Sequence, residues 1–212
     1  MRYEEMQINV LKIMRPHWSR AVSLDIETHV SNLNFLTNER ILAISFSRRV
    51  SGALLDASGI ETKSLFLELD DDDSERQLLI RFDEELSKIN PLCVIGYGHR
   101  QYDIPLFCIK KQCYKLLLWK LVDLCESAMH IDLYHILKYK RYKRLEDAIS
   151  SPEFGSLPLM KVKGLVTGDR ENKGKEIFRL WKDDRETLKK YVEGDAHDVL
   201  LIAESMVERP TA

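Results

Sequence analysis

From residue 21 onward the apolar residues change period in a fixed order, and that order limits the folds open to the chain. Residues 21 to 26 form a short apolar run. A second, at 40 to 46, carries Ile41, Leu42, Ala43 and Ile44 and follows a polar loop with Asn32, Asn34 and Asn38. A third, at 63 to 69, comes after turn signals at Ser51-Gly52 and Ser58-Gly59. Runs this short, punctuated by turn residues, read as strands, and the short connections predict an antiparallel start to a sheet. Between 73 and 89 the period lengthens: Leu78, Leu79, Phe82, Leu86 and Ile89 recur at helical spacing, behind aspartates suited to the positive end of a helix dipole. Residues 92 to 97 are strand-like again, and a helix is expected from about 104 through Cys113. This succession predicts an α/β domain with parallel strands after the hairpin part. Pro152, Gly155, Pro158, Gly164, Gly168 and Gly174 make 150 to 175 mostly loop, the expected substrate-facing segment, and a last helix is expected over 183 to 208.

A chain of 212 residues points to a single domain over 1–212, and 44% apolar against 31% charged residues marks it as globular and soluble. The formal charge of −2 supplies no global field to attract nucleic acid, so any such binding needs a local patch. No apolar stretch approaches the length of a membrane span, and the first 20 residues lack a secretory pattern; no membrane contact and a cytoplasmic location are expected. Cys93, Cys108, Cys113 and Cys125 show no CxxC spacing and are expected to be reduced, buried thiols rather than zinc ligands.

Three features carry chemistry. In Ser23-Leu24-Asp25-Ile26-Glu27-Thr28 the alternation of a strand puts Asp25 and Glu27 on one face. Two such carboxylates repel, so they suit either a rim in water or a divalent cation. In Val94-Ile95-Gly96-Tyr97-Gly98-His99-Arg100-Gln101-Tyr102-Asp103-Ile104-Pro105 a strand ends in a glycine-bearing turn, and Asp103 opens the next helix. It is a helix cap, a ligand at a strand's carboxyl end, or both. On the last helix Leu188, Val192, Val199, Ile202 and Met206 form the inward stripe; Asp195 falls inside it, and Asp198 lies at its edge. A buried aspartate needs a cation, a donor or a metal. Tyr191, four residues before Asp195, is its neighbour on the helix.

Taken in order and with their separations, Leu24-Asp25-Ile26-Glu27-Thr28, Gly96-Tyr97 through Tyr102-Asp103-Ile104-Pro105, and Tyr191-x3-Asp195 resemble the three motifs of the DEDDy 3′→5′ exonuclease family. The likeness is to the proofreading domain of family B DNA polymerases, over roughly residues 20 to 208, and includes Ile131-Asp132-Leu133-Tyr134 between the second and third motifs. The resemblance implies a ribonuclease H-like fold with a mixed five-stranded sheet flanked by helices. It implies that Asp25, Glu27, Asp103 and Asp195 hold two divalent ions, Mg²⁺ or Mn²⁺, while Tyr191 positions the attacking water. The implied activity is 3′→5′ hydrolysis of single-stranded DNA ends, in repair or end processing. RNA as substrate, and a catalytically weak binding module, are the alternatives. One departure stands out: Gly98 occupies the place of the family's usual Asn, and His99, Arg100 and Tyr102 become the expected contacts to the nucleic acid there.

Lys138-Tyr139-Lys140-Arg141-Tyr142-Lys143-Arg144 mixes cations with aromatics, as a patch that binds phosphates and stacks bases does; a solvated helix face looks the same. Beside the three motifs, Lys138, Lys140, Arg141 and Lys143 are read as nucleic-acid contacts. His130 and His135 lack zinc spacing, the run Asp70 to Asp73 suits a helix start better than calcium, and Trp18, Trp119 and Trp181 are expected in core or rim packing.

Overall fold

A computed structural model describes residues 2–30, 39–166 and 170–208, so the asparagine loop with Asn32, Asn34 and Asn38, together with Gly168, lies outside the described residues. In chain order α1 (Tyr3–Met14) and a 3₁₀ segment (Arg15–Arg20) precede β1 (Ala21–Val30), β2 (Glu39–Arg49) and β3 (Ile60–Phe66). Then come α2 (Asp72–Ile89), β4 (Cys93–Gly96), α3 (Asp103–Cys113), α4 (Trp119–Glu126), β5 (Met129–Asp132), α5 (Leu133–Tyr139) and α6 (Leu145–Ile149). A 3₁₀ turn (Val162–Leu165), α7 (Arg170–Asp183) and α8 (Arg185–Glu208) complete the described chain.

The five strands form one sheet in the order β3-β2-β1-β4-β5. β1, β2 and β3 pair antiparallel, whereas β1 with β4 and β4 with β5 pair parallel, so the mixed five-stranded sheet is as expected. The period of two sorts side chains to its faces: Val94 joins Leu78, Phe82 and Leu86 of α2. Its neighbours Cys93 and Ile95 join Leu11, Ile136, Val199 and Ile202 of α1, α5 and α8. Asp71 caps α2 by accepting a hydrogen bond from the Ser74 amide at 2.7 Å, which explains the aspartate run without an ion.

Several boundaries differ from expectation. β1 and β2 run to residues 30 and 49, and β3 begins three residues earlier than its apolar run, because pairing extends strands past their apolar centres. Residues 170 to 175, read as loop, belong to α7: Gly174 is tolerated because Ile177, Leu180 and Trp181 bury one face of that helix. Cys93 is buried, but Cys108 and Cys125 are half-buried and Cys113 is exposed; all four are free thiols. Trp18 and Trp181 are buried and donate to Glu204 and to the Leu67 carbonyl, while Trp119 is exposed. Among the described residues no helix is long and apolar enough to cross a membrane.

From Tyr191 to Val207, α8 is buried against the sheet apart from half-buried Glu193. Ser23 of β1 donates to the Ala196 carbonyl at 2.6 Å, and Ser64 of β3 donates to Glu193 at 2.6 Å. Buried Glu204 accepts from Arg49 twice at 2.6 Å, from Trp18 at 2.8 Å and from the Leu55 amide at 2.8 Å. These bonds fix the helix in height and rotation against the sheet.

Candidate active site

β1 pairs with β4 only at Ala21, Val22 and Ser23. Beyond residue 23 β1 has no further pairing with β4, and the chain leaving β4 turns into α3. The carboxyl end of β4 is the part of an α/β sheet where ligands usually bind. Asp25 and Glu27 stand on the same strand face as Ser23, the face held against α8. The β1–β2 register slips between Glu27 and Thr28, a bulge that re-aims side chains where the carboxylates project.

Asp195 of α8 reaches the same point, and ligand oxygens of Asp25, Glu27 and Asp195 lie within 4.8 Å of one another. Glu27 and Asp195 are 6% and 2% exposed, so little water shields their charges. Tyr191, one turn earlier, is buried and hydrogen-bonds Asp195. Burial, together with the charges of Glu27, Asp195 and Asp25, pushes its phenol far above the usual range, so the hydroxyl remains a donor. Asp103 opens α3 beside this group and is 7% exposed. Burial raises its carboxyl well above the usual range, and the charges of Asp25, Glu27 and Asp132 add to the rise. A cation placed among these carboxylates would oppose that rise. Carboxylate oxygens crowded in this way could hold a divalent metal ion, so the chemistry of Asp25, Glu27 and Asp195 fits a metal site.

Asp198, which the helical angle left at the stripe's edge, is fully buried and committed elsewhere. It accepts from the Met160 and Lys161 amides at 2.7 and 3.0 Å, and it lies 3.1 Å from His197 Nδ1. Gly194 helps bring the same segment in: a Cβ there would come within 2.4 Å of Val162. Asp132 caps α5 through the Tyr134 amide at 3.0 Å and also accepts from the Gly98 amide at 2.8 Å, fastening the turn that leads to Asp103. Gly98 has φ +79, a left-handed conformation that glycine adopts without strain.

The expected nucleic-acid contacts divide. His99 is fully buried, stacked on His130 with 3.2 Å between ring nitrogens, and burial with the nearby charges of His130 and Arg100 pulls it down to about 3. This corrects the expectation of a nucleic-acid contact at His99: with its side chain fully buried it presents no exposed atom to a phosphate in this structure. Arg100 is exposed and bonds the Tyr3 hydroxyl. Tyr102 is half-buried and shares a 2.8 Å hydrogen bond with Thr28, next to Glu27. In the basic run Lys140 is paired with Glu153 at 2.6 Å, whereas Lys138, Arg141 and Lys143 are exposed. His130 also meets the Leu124 carbonyl at 3.0 Å, and His135 pairs with Gln101 at 3.4 Å; both are ordinary structural histidines.

One residue of the site was missed. Lys173, in the first turn of α7, places Nζ 2.9 Å from Glu27 Oε1 and 5.4 Å from the Tyr191 ring centre. Although burial opposes it, the charges of Glu27, Asp25 and Asp195 hold its ammonium above the usual lysine range. The signal was present as the stripe Lys173, Ile177, Leu180 and Trp181 at helical spacing.

No protein-family model matches the chain, and no curated protein matches it. Among solved structures, the family B DNA polymerase from the hyperthermophilic archaeon Pyrobaculum calidifontis is similar, with a TM-score of 0.65 and 19% identity over 87% of this chain. The matched part is 24% of that polymerase, so the chain spans about a quarter of its length. The likeness carries the fold: a ribonuclease H-like mixed sheet flanked by helices.

Proposed function

We propose that the chain is a metal-dependent 3′→5′ exonuclease acting on single-stranded DNA ends. The observation that carries this reading is the convergence of Asp25, Glu27 and Asp195, from strand and helix, within 4.8 Å. Asp103 beside them and Tyr191 bonded to Asp195 support it, since both belong to the ordered motif set.

Asp25, Glu27 and Asp195 would hold one divalent ion, and Asp103 with Asp25 a second. Bound ions of this kind supply a hydroxide near neutral pH and offset charge on the phosphate and leaving oxygen. The protein's own groups do the rest. Tyr191, kept protonated and bonded to Asp195, would orient the nucleophile with its hydroxyl rather than deprotonate it. The Asp132–Gly98 bond ties the β4–α3 turn to the end of β5 and the Tyr102–Thr28 bond ties it to β1, which together set where Asp103 stands relative to Asp25. The exposed cations Lys138, Arg141 and Lys143, with Arg100, would draw the strand's phosphates toward the site.

The test is a 5′-labelled single-stranded DNA incubated with the protein and Mg²⁺ or Mn²⁺. A ladder shortening from the 3′ end is expected, abolished by EDTA and by Asp25→Ala. A ladder with RNA alone would move the substrate class, and binding of both without any ladder would leave the weak binding module.

A further inference from the structure

We infer that Lys173 is a resident counter-cation of the carboxylate cage, which a divalent ion must displace from Glu27 in order to bind. The inference rests on the metal-dependent reading above and concerns how that metal site is controlled. Lys173 Nζ is 2.9 Å from Glu27 Oε1, where an ion would need the same carboxylate at about 2.0 to 2.6 Å. Asp25 and Asp195 also act on this ammonium, so it senses every member of the three-carboxylate group. A unit charge and a double charge sharing one carboxylate repel strongly in a site this shielded from water. One of them leaves.

The lysine can leave. Its side chain is 38% exposed, so a route to solvent exists, and its flexible four-carbon stem lets the ammonium swing out without moving α7. Leaving also uncovers the face of the Tyr191 ring, over which the ammonium now sits. The cage is thus partly neutralised and ordered before metal arrives. Metal affinity is weaker than the carboxylates alone would give, and Tyr191 is covered until loading occurs.

Two measurements without nucleic acid test this. Calorimetric titration with MnCl₂ should show Lys173→Met binding about tenfold or more tighter than wild type, and Lys173→Arg no tighter than wild type, with Asp195→Asn as the site control. In the wild-type protein, Mg²⁺ should raise the rate of Lys173 reductive methylation several-fold by peptide mass spectrometry, with distant lysines such as Lys88 unchanged. Unchanged or weaker Mn²⁺ binding by Lys173→Met, or a methylation rate insensitive to Mg²⁺, overturns the inference and leaves the nuclease reading standing. Failure of the wild type itself to bind Mn²⁺ in a manner sensitive to Asp195→Asn overturns both.

Discussion

Glu27 and Asp103 meet the same crowding in different ways: Glu27 is paired with Lys173, while burial and the charges of Asp25 and Glu27 push the carboxyl of Asp103 upward. His99 is the opposite case, a base kept neutral by burial. Its pKa is about 3 in the folded protein, against about 6.5 in an unfolded chain. The unfolded state therefore binds a proton that the folded state refuses. The stability His99 contributes is present above pH 6.5 and is lost as pH falls toward 3, at up to about 1.4 kcal/mol per pH unit. Replacing it, as in His99→Leu, should flatten the fall in urea midpoint between pH 6 and pH 4; an unchanged slope would mean that other groups drive acid unfolding. At this scale the sequence was informative where periodicity decides direction. Asp25 with Glu27, and Asp195 within the stripe, could be read from spacing. Asp198 could not, because its angle says nothing of the Met160 and Lys161 amides that claim it. Nor could His99, whose burial depends on a histidine 31 residues away.

At the scale of elements, α8 is the part on which the rest of the site depends. Glu204 receives four donors from the 3₁₀ segment, β2 and the β2–β3 connection. Glu204→Leu should destabilise the fold by about 3–5 kcal/mol, because it leaves the Arg49 charge buried without its partner. Adding Arg49→Met should recover much of that loss in chemical denaturation; no recovery would mean that packing, rather than the stranded charge, is responsible. α8 was legible from its long apolar stripe. α7 was only half legible, since glycines at 164, 168 and 174 outweighed a stripe that is clear only once Ile177, Leu180 and Trp181 are seen against the sheet. Losing its first turn to a loop also meant losing Lys173.

For the molecule as a whole, a charge of −2 means that attraction for a polyanion is regional. Lys140 is spent on Glu153, so the exposed Arg141 and Lys143 are the informative pair. Replacing both with Ser should weaken binding of single-stranded DNA and lower the slope of log K against log salt by about 1.4, at about 0.7 for each phosphate no longer neutralised. An unaltered slope would return the run to a solvated surface. The bond between Ser23 and Ala196 closes a span of 173 residues, joining the strand with Asp25 and Glu27 to the helix with Asp195. On the ribosome, at roughly 5 to 20 residues per second, β1 emerges on the order of ten seconds or more before its partner. Through that interval the nascent chain carries an incomplete carboxylate set, so the power to cut a DNA end, on the proposed reading, is withheld until the last helix has been made and docked.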